Sequence, residues 1–113
     1  MKIYHNPRCR KSREALKIIE SKKISIEIFE YLKKPIKKDE LRSILKMLKI
    51  SAEDLIRKNE SIYKQNYKGK KLSTENWLEV MISHPILIER PIVIKDNHAL
   101  IGRPPEKVLN LID

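Results

Sequence analysis

The first 30 residues show strand-like and helix-like spacings of apolar side chains in turn. Residues 2–5 are predicted to form a short strand that Asn6-Pro7 ends, and residues 24–30 are predicted to form a second strand. The second strand carries isoleucine on one face, at Ile24, Ile26 and Ile28. Between the strands, a helix over residues 12–21 has apolar side chains at helical spacing, namely Ala15, Leu16 and Ile19. The pattern predicts a β-α-β unit whose strands are parallel, since a crossover helix connects them.

The middle of the chain shows helical spacing only. Apolar residues recur at helical intervals after Pro35, at Leu41, Ile44, Leu45 and Leu48. Ser51-x-x-Asp54 has the spacing of a capping box, and Ser73 precedes a helix that must end before Pro85. We therefore expect an insert of about three helices over residues 37–84.

The last part of the chain returns to strands and ends in a helix. Residues 91–94 form a predicted strand, Asp96-Asn97 a turn, and residues 99–101 a second strand closed by Gly102. Pro104-Pro105 then opens a helix whose inner face carries Val108, Leu109 and Ile112. The order β-α-β, helical insert, β-β-α predicts a thioredoxin-like α/β fold with a mixed central sheet.

Length and composition agree with a single globular domain over residues 1–113. Hydrophobic residues make up 41% of the 113 and charged residues 35%, which supplies enough apolar side chains for one core. No apolar run approaches the ~18 residues of a membrane span, and the N-terminus lacks the apolar segment of a secretory signal. We therefore expect a cytoplasmic protein without a membrane partner.

The chain is strongly basic, with a formal net charge of +10, and this charge suggests an anionic partner. The 25 Lys and Arg residues lie along the whole chain among 15 Asp and Glu, without a sustained basic block. This distribution disfavours nucleic acid as the partner. Only seven of the 25 are arginines, whose planar fork can hold an oxyanion with two hydrogen bonds.

The single cysteine, Cys9, is the strongest candidate for a reactive group. It has no partner for a disulfide and too few nearby ligand residues for a metal site, so we expect no metal and a thiol that acts alone. Because Cys9 precedes the first helix, free backbone N–H groups favour its thiolate. Four cations also flank it in sequence, Arg8, Arg10, Lys11 and Arg13. We therefore expect the pKa of Cys9 to lie below the ~8.5 of a free thiol.

Two polar residues near Cys9 are candidates for supporting it. His5, at the end of the first strand, can favour the thiolate as an imidazolium or through a donated hydrogen bond, but a structural role fits its place equally well. Ser12 makes a Cys9-x-x-Ser12 motif, or it serves only to cap or begin the helix. Because the chain has no second cysteine, any adduct or mixed disulfide on Cys9 must be resolved by an external thiol.

Four sequence blocks lie in order over nearly the whole chain. They are residues 4–13 (YHNPRCRKSR), 55–59 (LIRKN), 84–93 (HPILIERPIV) and 102–104 (GRP). In this order they resemble the glutaredoxin-dependent arsenate reductases. The resemblance implies a thioredoxin-like fold with a helical insert, which is also the fold that the order of elements predicts.

The resemblance also implies a set of site residues and a reaction. Cys9 is then the nucleophile, and His5 tunes it. The oxyanion is held by three arginines, Arg57, Arg90 and Arg103. Arsenate is reduced to arsenite through a covalent Cys9–arsenate adduct, with glutathione as co-substrate, glutaredoxin as protein partner and no bound cofactor.

Two of the arginines also have a structural interpretation that the residues alone leave open. Arg57 closes an amphipathic helix and can interact with the dipole at its C-terminus, and Arg103 can be a solvated turn residue. Arg90 directly precedes Pro91, at the place where thioredoxin-like folds are known for a cis proline that faces the active cysteine. Without that resemblance Pro91 would be expected in trans, because only ~5–6% of X–Pro bonds are cis.

Two other functions are alternatives to arsenate reduction. The first is a redox-responsive, Spx-like transcriptional regulator that binds RNA polymerase. Such regulators commonly carry a Cys-x-x-Cys switch, which Ser12 removes from this chain. The second is a thiol oxidoreductase without an arsenate site, which has no need of three arginines.

Overall fold

The computed structural model describes residues 1–112, which fall into two compact units. The first unit consists of Met1–Lys34 and the chain from Arg90 onward, and the second of Pro35–Glu89. The elements in chain order are β1 (Lys2–Tyr4), α1 (Arg10–Ser21), β2 (Glu27–Phe29), α2 (Lys38–Leu48), α3 (Ser61–Asn66), α4 (Thr74–Ser83), β3 (Ile92–Lys95), β4 (His98–Ile101) and α5 (Leu109–Ile112). Short 3₁₀ helices lie at Glu53–Leu55, Pro85–Leu87 and Pro105–Val108. This order confirms the predicted fold class, whereas the single domain over residues 1–113 stays a prediction.

The first unit is built on a four-stranded mixed sheet with the strand order β2-β1-β3-β4. β1 and β2 are parallel, as predicted for strands that a helix connects. β3 pairs antiparallel with both β1 and β4, so that Val93 lies opposite Ile3 on one side and Leu100 on the other. Asp96, with a φ of 56°, lies in the tight turn between β3 and β4 that the sequence predicts.

The core of the first unit lies between this sheet and α1. Ile3 and Val93 are neighbours in the sheet, and both are completely buried. They belong to one cluster with Ala15 and Ile19 of α1 and with Val108, which follows β4. α1 and the 3₁₀ helix Pro105–Val108 therefore pack against the same sheet, and this packing fixes the position of the N-terminus of α1.

The second strand is shorter than predicted, covering Glu27–Phe29 instead of residues 24–30. β2 lies at the edge of the sheet, and only the three residues opposite β1 pair with it. Ile24 and Ile26 precede this ladder and pack, partly buried, against the core. Ile28 lies within the ladder and is 45% exposed. The face predicted to carry the three isoleucines is therefore partly buried at Ile24 and Ile26 and exposed at Ile28.

The second unit is helical, in agreement with the predicted insert. α2 and α4 contact each other, and their buried side chains are Leu41, Ile44 and Leu45 on α2, and Trp77, Leu78 and Met81 on α4. The hydroxyl of Ser73 accepts the N–H of Asn76 at 3.2 Å and so caps α4, which ends at Ser83, before Pro85. None of the helices within residues 1–112 is long and apolar enough to cross a lipid bilayer.

The capping-box spacing at Ser51 forms its predicted contact but starts only a short helix. The Ser51 hydroxyl accepts the N–H of Asp54 at 3.2 Å. The element that follows is the single 3₁₀ turn Glu53–Leu55. It ends because Ile56 is extended, with a φ of −80° and a ψ of 133°, and forms an antiparallel bridge with Ile88.

The register of the first unit's sheet brings three connecting segments to the same end of its strands. Tyr4, the last residue of β1, lies opposite Ile92, the first residue of β3. Ile92 in turn lies opposite Ile101, the last residue of β4. The segments 5–9, 90–91 and 102–103 therefore join β1, β3 and β4 at the same end of the sheet, although they are far apart in sequence.

Gly102 allows two of these segments to approach closely. Its N–H donates to the carbonyl of Pro91 at 2.9 Å. A Cβ atom at this position would lie only 3.0 Å from Cγ of Pro91 and 3.2 Å from Cγ1 of Val108. The absence of a side chain at Gly102 thus sets the distance between the end of β4 and the start of β3.

We expect Gly102→Ala to lower the free energy of unfolding by about 1–3 kcal/mol, because the added methyl group overpacks the contact with Pro91 and Val108. Urea unfolding of the two proteins measures this difference. An unchanged free energy of unfolding would show that the contact can relax at no cost.

Candidate active site

A tight turn carries Cys9 from β1 to the start of α1. The carbonyl of Asn6 accepts the N–H of Cys9 at 2.9 Å, and the Asn6 side chain accepts the N–H of Arg8 at 3.0 Å. Cys9 is the N-cap residue of α1, with an extended backbone (φ −91°, ψ 122°), and its carbonyl accepts the first helical hydrogen bond, from Arg13. The predicted place of Cys9 at the N-terminus of the first helix is therefore confirmed, although the helix begins at Arg10 instead of Ser12.

Cys9 is only 9% exposed, and two arginines lie at its sulfur. Nη2 of Arg103 donates to the sulfur at 3.4 Å, and the Arg90 side chain lies beside it. Burial raises the pKa of the Cys9 thiol, but the Ser12 N–H and the two arginines outweigh burial and hold the pKa below its ordinary value. The arrangement thus favours a thiolate at the helix N-terminus.

The two arginines at the sulfur are also connected to each other. Nε of Arg103 donates to the backbone carbonyl of Arg90 at 2.7 Å, while Nη2 of Arg103 faces the sulfur. Arg90 is 9% exposed, and the peptide bond between Arg90 and Pro91 is cis. The structure therefore brings together Cys9, Arg90 and Arg103, with Pro91 next to Arg90.

Two of the four cations that flank Cys9 in sequence have partners other than the sulfur. Arg10 is paired with Glu14 at 2.9 Å and its side chain is 84% exposed, while Arg13 donates to the carbonyl of Pro7 at 3.0 Å. The predicted direction of the Cys9 pKa is confirmed, but the cations that lower it come from positions 90 and 103. Successive residues of a helix point in different directions around its axis, so sequence neighbours of an N-cap need not lie near its side chain.

His5 is buried, at 6% exposure, and its ring is directed to Ser12 and not to Cys9. Nδ1 of His5 lies 2.7 Å from the hydroxyl oxygen of Ser12. Burial lowers the pKa of His5, Arg13 lowers it further, and Glu30 is the main group that opposes them. The neutral ring is thereby favoured. Of the two ways in which His5 could favour the thiolate, as an imidazolium or through a donated hydrogen bond, the first is therefore disfavoured.

Ser12 lies in the first turn of α1, and its side chain is completely enclosed. Besides contacting His5, its hydroxyl accepts the N–H of Asn6 at 3.1 Å. Of the two structural roles expected for Ser12, the first-turn role is the one observed, because Cys9 occupies the cap.

Arg57 lies in the second unit, directly after the extended Ile56. Its N–H donates to the carbonyl of Leu87 at 2.7 Å, and its guanidinium pairs with Glu89 at 2.8 Å and Glu60 at 3.4 Å. These carboxylates orient the side chain within its own unit. The role of Arg57 at an oxyanion stays a prediction.

Asn6 is the residue of the site that sequence reasoning missed. It appeared only as the end of the first strand, but it is 4% exposed and bonds with Arg8, Cys9 and Ser12. The available signal was its residue type, because an asparagine side chain commonly bonds the backbone two residues on. Its side chain does so with the N–H of Arg8.

Comparison with known proteins gives one consistent result. Residues 4–111 match the ArsC family. An arsenate reductase of Haemophilus influenzae is 44% identical over 97% of each chain, and one of Neisseria meningitidis serogroup A is 38% identical over 96% of this chain and 94% of its own. A solved arsenate reductase from Vibrio cholerae superposes with a TM-score of 0.92 at 38% identity, over 97% of each chain.

We expect Arg103→Gln to raise the pKa of Cys9 and to slow its alkylation by iodoacetamide at neutral pH, because the mutation removes a positive charge 3.4 Å from the sulfur. Since the pKa of Cys9 is lowered in the wild-type protein, its alkylation rate should reach a plateau at lower pH than that of a free thiol. Arg10→Ala is the control, because Arg10 adjoins Cys9 in sequence but pairs with Glu14. Equal effects of the two mutations would contradict the assignment of Arg103.

Proposed function

The chain belongs to the ArsC family, and we propose that it is a cytoplasmic arsenate reductase, which reduces arsenate to arsenite. The observation that carries this proposal is the position of the Cys9 sulfur, which lies at a helix N-terminus beside Arg90 and Arg103. A lowered thiol pKa supplies a nucleophile, and two guanidinium groups beside it supply a place for an anion.

Arsenate is a tetrahedral oxyanion, and this geometry suits the two arginines. A guanidinium can donate two parallel hydrogen bonds to two oxygens of one oxyanion. Arg90 and Arg103 together offset the negative charge that would otherwise repel the thiolate of Cys9 from the substrate. Arg57, the third arginine implied by the resemblance, is retained in the proposal as a further oxyanion-binding residue, with no position assigned to it.

The first chemical step is substitution at arsenic. The thiolate of Cys9 attacks arsenic, a sulfur–arsenic bond forms, and one arsenic–oxygen bond breaks. The departing oxygen leaves as water, and the proton given up by the thiol is one of its two. Arsenic remains As(V) in the resulting Cys9–arsenate adduct.

The reduction takes place in the second step and needs an external thiol. Glutathione attacks the sulfur of Cys9, the sulfur–arsenic bond breaks, and its electron pair stays on arsenic, which leaves as As(III) in arsenite. The two sulfurs are oxidised to a Cys9–glutathione disulfide, and the thiol proton of glutathione goes to an arsenite oxygen. Glutaredoxin then reduces the mixed disulfide.

The cysteine count supports the external thiol. Cys9 is the single cysteine among 113 residues, and Ser12 stands where a Cys-x-x-Cys motif has its second thiol. No disulfide within this chain can therefore complete the cycle, and glutathione is the small thiol that fits the resemblance.

We expect the purified protein to form arsenite from arsenate only when glutathione and glutaredoxin are both present. Each component is omitted in turn, and thioredoxin replaces glutaredoxin in a further reaction, with arsenite as the measured product. Activity with thioredoxin and no glutathione would contradict the second step. No activity in the complete mixture would contradict the proposed function.

We expect Arg90→Lys to lower kcat/KM for arsenate roughly ten- to hundredfold, because lysine keeps the charge but loses one charge-assisted hydrogen bond, worth about 1.5–3 kcal/mol. Cys9→Ser should abolish reduction while arsenate binding persists, since binding is assigned to the arginines. Arg42→Lys is the control, because Arg42 pairs with Glu75 on the exposed side of α2. The melting temperature of each variant is measured in parallel, and full activity of Arg90→Lys would remove Arg90 from the oxyanion site.

A further inference from the structure

A cavity lies beside the loop that carries Cys9, at the end of the sheet where β1 and β2 finish. Its volume is about 210 Å³, and its walls come from the loop after β1 and the segment after β2, namely Asn6, Pro7, Arg8, Glu30, Leu32 and Lys33. The two segments are joined where they leave the sheet, because the N–H of His5 donates to the carbonyl of Phe29 at 2.9 Å. β1 and β2 are parallel, and the carboxyl ends of parallel strands form the crevice in which α/β sheets commonly bind ligands.

The cavity offers charges of both signs that contribute little to the fold. Nζ of Lys33 lies 3.3 Å from a carboxylate oxygen of Glu30, but the Lys33 side chain is 75% exposed and that of Glu30 is 37% exposed. An ion pair in contact with water stabilises a protein only weakly, so a ligand that carries both charges can replace it. Arg8 supplies a second cation, which pairs with no carboxylate within residues 1–112. The cavity therefore suits the ammonium and carboxylate groups of an amino-acid end.

Asn6 adds hydrogen-bond donors that the protein does not use. Asn6 is 4% exposed, and its side-chain oxygen accepts the N–H of Arg8 at 3.0 Å. A backbone N–H can only donate, so this contact identifies the oxygen and leaves the side-chain nitrogen for another partner. Among residues 1–112 that nitrogen finds no acceptor. Because buried polar groups are almost always hydrogen-bonded, Asn6 favours a ligand with a carbonyl or carboxylate oxygen.

We propose that this cavity binds the glutamyl end of glutathione. Glu30 accepts hydrogen bonds from the α-ammonium group of the ligand, and Arg8 and Lys33 hold its α-carboxylate. The side-chain nitrogen of Asn6 donates to the carbonyl of the γ-glutamyl peptide bond. Leu32, which is 42% exposed, packs against the methylene groups between them.

The position of the cavity brings the thiol of such a ligand within reach of Cys9. The N–H of Cys9 donates to the carbonyl of Asn6 at 2.9 Å, and a turn closed in this way keeps its first and last Cα atoms within about 7 Å. In glutathione the cysteine directly follows the glutamyl residue. A glutamyl group held at Asn6 therefore leaves the thiol close enough to approach the sulfur of Cys9.

This inference rests on the proposed function in taking glutathione as the external thiol, but its test needs neither arsenate nor glutaredoxin. Oxidised glutathione reacts with Cys9 directly: the thiolate attacks one sulfur of the disulfide, the sulfur–sulfur bond breaks, and glutathione leaves as its thiolate. The product is a Cys9–glutathione disulfide, measured by mass spectrometry. A protein that fails to reduce arsenate can therefore still confirm or overturn the site, and an active arsenate reductase can still lack it.

The first test reverses a charge at the cavity. The rate of disulfide formation with oxidised glutathione is divided by the rate of alkylation by iodoacetamide, which removes any change in the reactivity of the thiol itself. We expect Lys33→Glu to lower this ratio about fivefold or more, because it replaces a cation that holds the α-carboxylate. An unchanged ratio would overturn the proposal. If only the reduction of the mixed disulfide by glutaredoxin became slower, the cavity would bind glutaredoxin instead, and the proposal would be overturned as well.

Lys34→Glu is the matched control for this test. It makes the same change of charge one position further along, at an exposed residue outside the walls of the cavity. We expect its ratio to stay within about twofold of the wild-type value, because salt screens a charge that does not contact the ligand. Equal losses in the two variants would show that oxidised glutathione, an anion, responds only to the overall charge of the protein, and would overturn the site.

The second test changes the ligand and keeps the protein intact. The disulfide of γ-glutamylcysteine retains the glutamyl end, whereas the disulfide of cysteinylglycine lacks it. Each rate is divided by the rate at which the same disulfide reacts with free cysteine, which removes the difference in intrinsic reactivity. We expect γ-glutamylcysteine to react within about threefold of glutathione, and cysteinylglycine to react at least about tenfold more slowly. Equal normalised rates for these two disulfides would overturn the recognition of the glutamyl end.

Discussion

A thiolate that is almost buried needs hydrogen bonds from the protein in place of the water that it has lost. Cys9 is 9% exposed, and its sulfur obtains them from the side chains of Arg90 and Arg103. The sulfur and these two donors come from three segments of the chain, and the register of the sheet brings the three to the same end of its strands. The negative charge on the Cys9 sulfur therefore depends on how the strands of the first unit pair.

Much of the fold could be predicted because it depends on the local spacing of apolar residues. The parallel pairing of β1 and β2 follows from the helix between them, and the turn at Asp96 separates two strands that pair as a hairpin. The exposure of Ile28 could not be predicted in this way. Alternation describes a strand of known length, and the length of β2 is set by how many residues pair with β1.

The site was predictable in part, and for different reasons. The place of Cys9 at a helix N-terminus follows from local sequence, whereas its two arginines came from the resemblance alone. No periodicity relates position 9 to positions 90 and 103, because tertiary contacts bring them together. The direction of the His5 ring was likewise hidden, since a strand-end histidine can turn to the sulfur or away from it, and the enclosed hydroxyl of Ser12 decides the matter.

Because its guanidinium contacts two groups of the protein, the side chain of Arg103 is ordered before any anion binds. A free arginine side chain samples many rotamers, and ordering it costs up to about 2 kcal/mol of conformational entropy. With Nε on the carbonyl of Arg90 and Nη2 toward the sulfur, Arg103 is already ordered by the fold. The entropy cost of ordering Arg103 therefore lowers the stability of the folded protein slightly and does not weaken the binding of each anion. The site is preorganised in this sense.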